Sequence, residues 1–123
     1  MSQLSALLLT LLIELPCVWL ISRLWAASAP RTLPRLLAVA ALASLLTHPF
    51  AWHGHEWLAS RLSQEQALQG WLVIESLVVL VEAIVLAWGL GWRWQQGLAA
   101  SLFSNAASAA AGYVLLGASH ALA

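Results

Sequence analysis

Four apolar runs, Leu4–Trp25, Leu33–Trp52, Gly70–Gly91 and Leu98–Leu122, occupy most of this chain. Each approaches or exceeds the roughly 20 residues that carry an α-helix across about 30 Å of hydrocarbon. Lipid offers a backbone no water to bond with, so a helix, which satisfies its own amides, is the conformation open to each run. The expected fold is therefore all-α: a polytopic membrane protein with four transmembrane helices in a single domain over residues 1–123, spanning about 4–25, 33–52, 70–91 and 98–122. Composition agrees. Hydrophobic residues make up 62% and charged residues 8%, where an ordinary globular domain carries about 25% charge. No segment outside the runs is long enough to fold alone.

The few charges set an expected orientation. Arg23, Arg31 and Arg35 gather around the first connection and Arg93 lies in the third, whereas the second connection, His53–Gln69, holds only Arg61 against Glu56 and Glu65. Arginine-rich loops stay cytoplasmic, which places the first and third loops inside and both termini outside, in a bacterial inner membrane. Tryptophans mark the two interfaces: Trp19, Trp25, Trp88, Trp92 and Trp94 inside, Trp52, Trp57 and Trp71 outside. Within the second connection, Trp57, Leu58, Leu62 and Leu68 recur near helical spacing, predicting a short interfacial helix, and Ser63 with Gln66 matches a capping box. The first run is retained as a span. No basic residue precedes Arg23, and the run is longer than a signal-peptide core and carries Glu14. A formal charge of zero gives no support for a nucleic-acid partner, and the single Cys17 has no internal partner for a disulfide.

Three acids lie within these runs, where an ionisable side chain costs roughly 2.5–3.5 kcal/mol on insertion scales. At 1.5 Å per residue, Glu14 lies roughly 15 Å below the outer end of the first run and Glu82 roughly 18 Å below that of the third, so the two share a level. Glu75 precedes Glu82 by almost two whole turns, on the same helix face and nearer the outer mouth. His48 sits just before Pro49, which removes a backbone donor and is expected to kink or end the second helix. On the fourth run Ser101, Asn105, Ser108 and Gly112 form one small and polar stripe, and Ser104, Ser108 and Gly112 a ladder of small residues suited to close helix packing.

These features carry more than one expectation. Glu14, Glu82, Glu75, His48 and Asn105 are candidates for binding a proton or cation, in ion-coupled transport or conduction by a homo-oligomer or with a partner. Alternatively the acids are protonated and paired, the polar residues join helices, and the chain is a non-catalytic accessory subunit of a larger membrane complex. A third reading takes His48, His53, His55, Glu56 and His120 as ligands for a divalent transition metal at the outer face. His-x-His followed by Glu is a loose pattern, without the four-residue histidine spacing of zinc-protease helices. A haem held between His48 and His120 lacks a second signal, and no cofactor is required. Catalysis finds little footing: the chain has no aspartate or lysine, and Gly89-Leu90-Gly91 lacks the residues and strand context of a nucleotide loop.

Overall fold

A computed structural model describes residues 2–25 and 32–121, side chains being described as far as residue 115. Four long helices account for nearly all of them: α1 (Gln3–Leu24), α2 (Leu33–Arg61), α3 (Gln64–Leu90) and α4 (Trp94–Ala121). All four are long and apolar enough to cross a membrane. They pack in a ring, α1 against α2, α2 against α3, α3 against α4 and α4 against α1, so α1 and α3 stand on one diagonal and α2 and α4 on the other. Short connections between α2 and α3 and between α3 and α4 force those neighbours to run antiparallel.

Local chemistry sets the ends. Ser2 caps α1 by accepting from the Ser5 amide. Pro34 falls in the first turn of α2, where its missing N–H leaves nothing unsatisfied. Ser63 and Gln66 form the expected capping box at the start of α3, and Gly91 ends that helix with a left-handed φ of 63°. The Arg35 Nε donates to the Gly89 carbonyl at 3.0 Å, placing a cation at the negative end of α3.

The second connection differs from expectation. Among the described residues it holds no separate interfacial helix: α2 runs on through Pro49 to Arg61, and α3 begins at Gln64. Pro49 removes one amide donor, but Phe50–Arg61 contain no further breaker apart from Gly54, and Ile74 packs against that glycine. Trp57, Leu58 and Leu62 therefore extend or end α2, while Leu68 belongs to α3. The small-residue ladder also shifts. Ser101 and Ser104 are buried, but a Cβ built at Gly112 meets nothing within 4 Å. The close approach falls at Gly97, where a Cβ would collide with the Ala83 carbonyl of α3.

The bundle is polar within and apolar without. Glu14 and Glu82 are each 3% exposed, whereas Leu12 is 72% and Trp88 85% exposed. A water-soluble bundle has the opposite pattern. An apolar cluster of Val18, Ile21, Leu36, Ala40, Leu86, Leu90 and Ala100 fills the end where α1 and α3 finish and α2 and α4 begin. A smaller one, Leu58, Ile74 and Val78, joins α2 to α3 near the opposite end.

Candidate functional site

The two deepest acids face one cavity of about 300 Å³ walled by all four helices. Glu14 comes from α1 and Glu82 from α3, across the diagonal, and each is gripped from both sides by the other two helices. The Ser44 hydroxyl on α2 donates to Glu14 Oε2 at 2.6 Å, and the Ser108 hydroxyl on α4 to Glu14 Oε1 at 2.9 Å. The Thr47 hydroxyl on α2 donates to Glu82 Oε1 at 2.6 Å, and Asn105 Nδ2 on α4 donates to Glu82 Oε2. Ser44 and Thr47 are three residues apart, as are Asn105 and Ser108, so two helix faces each present a pair of donors one turn apart.

All four donors are uncharged. Among the described residues, the ion pairs are His53 with Glu56 and His55 with Glu75, and neither involves Glu14 or Glu82. The Asn105 amide is oriented by a second acceptor, the Ser101 carbonyl at 3.0 Å; reversing the amide would set two oxygens against each other. The hydroxyls are less constrained. Each has one proton and a second acceptor on its own helix: the Ala40 carbonyl at 3.3 Å for Ser44, the Ala43 carbonyl at 3.2 Å for Thr47 and the Asn105 carbonyl at 3.1 Å for Ser108. A hydroxyl can point its proton at an ionised carboxylate. It can also point it at the backbone and accept from a protonated carboxyl. Both states are accommodated with no heavy atom displaced.

Below this layer the cavity has a floor. Val18 lies four residues beyond Glu14, Leu86 four beyond Glu82 and Ala40 four before Ser44, and all belong to the apolar cluster. Above it the wall is amphipathic: His48, Trp52 and His55 from α2, Trp71 and Glu75 from α3. His55 Nε2 and Glu75 Oε1 lie 3.1 Å apart, each side chain 28% exposed, and the Trp71 ring is tilted beside His55 with centroids 6.2 Å apart. His48 Nε2 lies 3.3 Å from the Gln3 carbonyl, tying α2 to the first turn of α1.

The structure thus brings together Glu14, Glu82, Glu75, His48 and Asn105 around one cavity. The histidine set does not gather. His48 and His55 line the cavity, whereas His53 pairs at 3.5 Å with Glu56 on an exposed face. The His120 side chain lies outside the described residues. Among those described, no group of three or more His, Cys, Asp or Glu is placed to hold a metal ion. Ser44 and Thr47 were not singled out from the sequence, although Ser44, Thr47, His48, Ala51 and His55 follow the i, i+3, i+4, i+7, i+11 spacing of one helix face. Compared with known protein families, curated proteins and solved structures, the chain matches none.

Proposed function

We propose that this chain is an integral protein of a bacterial inner membrane, with both termini outside, in which Glu14 and Glu82 accept protons or cations in ion-coupled transport or conduction. The observation that carries this reading is the convergence of two carboxyls from opposite helices on one cavity, with only uncharged donors as partners. Among the described residues neither acid has an ion-pair partner, so a proton or a cation would balance an ionised carboxylate here, and the rotatable hydroxyls suit both the loaded and the empty state. Glu75 and His55 lie on the way in. Because the apolar floor closes the far end, passage across the membrane requires the floor to open, with a second copy or a larger partner completing the path.

Reconstitution into vesicles tests this. Glu14→Gln and Glu82→Gln keep the shape of the site and remove its titratable charge, so each is expected to abolish proton- or cation-dependent flux. Unchanged flux in both variants would remove the proposal.

A second reading, an accessory subunit of a larger membrane complex, is favoured by one observation: all four carboxyl oxygens already have an interhelical donor, as helix-joining groups would. Purification in mild detergent separates the two. A stoichiometric larger subunit supports the accessory role, and a self-contained oligomer with flux supports transport.

A further inference from the structure

A second hollow, an apolar groove of about 510 Å³ on the outer face of the bundle between α3 and α4, adjoins the acidic cavity. The two share four lining residues, Trp71, Glu75, Asn105 and Ala109. These residues form the boundary between the two hollows and would frame a window between them. Lower on the same seam the helices are in direct contact: Gly97 meets Ala83, and the Ser101 hydroxyl donates to the Val79 carbonyl at 2.9 Å. Each step of four along α4 matches a step of four back along α3. The next two steps pair Asn105 with Glu75 and Ala109 with Trp71, one helical turn apart. At this level the two hollows lie on either side of the seam, and Ala109 contributes only a methyl group to it.

We propose that this window admits a single-chain amphiphile with a primary ammonium head from the surrounding lipid, the head seated at the acidic cavity and the hydrocarbon chain in the groove. The inference rests on reading Glu14 and Glu82 as a cation-accepting site. The groove is lined by exposed Leu72, Leu80 and Leu102 and is nearly devoid of polar atoms, which suits a hydrocarbon chain. The cavity supplies opposite charge and a specific demand for N–H donors. Each of the four carboxyl oxygens has one donor from Ser44, Ser108, Thr47 or Asn105. An ionised carboxylate offers about four acceptor sites, so each oxygen keeps one for a ligand. A primary ammonium has three N–H groups to fill such sites; a quaternary ammonium has none.

Native mass spectrometry of the full chain in a neutral detergent tests the inference, with dodecylamine, butylamine and dodecyltrimethylammonium as probes. Dodecylamine is expected to bind one per chain and more tightly than either other probe. Ser76→Trp fills the groove from α3 at an exposed residue whose hydroxyl bonds only its own helix, at the Leu72 carbonyl. It is expected to weaken dodecylamine by occupying the space its chain would take, and to leave butylamine unchanged. Ala106→Trp, from the α4 wall of the groove, is expected to do the same, which guards against a folding defect in either variant. Equal dodecylamine binding in wild type and both tryptophan variants would overturn the groove assignment, and equal or tighter binding of the quaternary probe would overturn the N–H head. If no amine binds while the glutamine variants still abolish flux, the amphiphile is wrong and the transport reading stands; if those variants leave flux intact, the transport reading itself fails.

Discussion

Replacing Thr47 with valine isolates one of the four bonds that hold the acids. Valine keeps the branched shape at Cβ, so no cavity opens and the change removes the hydroxyl. That hydroxyl lies 2.6 Å from Glu82 Oε1 and 3.2 Å from the Ala43 carbonyl, so the carboxyl is its main partner. Interhelical hydrogen bonds between neutral groups in membrane proteins average about 0.6 kcal/mol and reach about 1.7. A bond to an ionised group contributes about 1.5–3 kcal/mol. Thr47→Val is therefore expected to cost about 0.6–1.7 kcal/mol when Glu82 is protonated, and to approach the higher range when it is ionised. The assay is a double-mutant cycle with Glu82→Met, unfolding each variant in bicelles by steric trapping. Glu14→Met with Thr47→Val serves as the unbonded control, because Glu14 takes its donors from Ser44 and Ser108. Coupling is expected between Thr47 and Glu82, growing from acidic to alkaline buffer as the bond becomes charge-assisted. Coupling below about 0.3 kcal/mol, the scatter of independent sites, in both buffers would refute the bond and the donor layer built on it.

Gly97→Ala is expected to destabilise the bundle by about 1–3 kcal/mol, since its new methyl group meets the Ala83 carbonyl. Gly112→Ala, in open space on the same helix, is expected to be neutral or slightly stabilising; equal effects in the same unfolding assay would deny that α3 and α4 close at Gly97. Gly91→Ala is expected to cost about 1–2 kcal/mol through its left-handed backbone, read as a lower midpoint in thermal unfolding by circular dichroism. A midpoint identical to wild type would show that the α3–α4 turn adopts another conformation.

The acids were legible in the sequence because their setting is so unfavourable. Glu14 and Glu82 stand out in apolar runs, a count of residues puts them at one depth, and the phase between Glu75 and Glu82 puts that pair on one face. The donors were less visible for the opposite reason. A serine or threonine in a membrane helix can satisfy its hydroxyl on its own backbone, so Ser44 and Thr47 look like Ser22 or Ser60, which bond only the Trp19 and Trp57 carbonyls. Their phase with His48 and His55 was the available signal. The second span, expected to end near Trp52, continues as helix to Arg61, because the amide bond lost at Pro49 is local while the packing of α2 against α3 extends well beyond it. His53, His55 and Glu56 are close in sequence, but His53 and Glu56 share an exposed side of α2 while His55 faces the cavity, so neighbours along the chain do not form one group.

The apolar floor also has an electrical consequence. Glu14 is the twelfth of the 22 residues in α1, so in a bilayer a proton arriving from the open end would traverse roughly half the transmembrane field. A full crossing is worth about 2.3 kcal/mol per elementary charge at 100 mV, so half of it is about 1.2 kcal/mol. Occupancy of the acids would then depend on membrane potential even with the floor shut, each 100 mV changing it by about sevenfold in either direction.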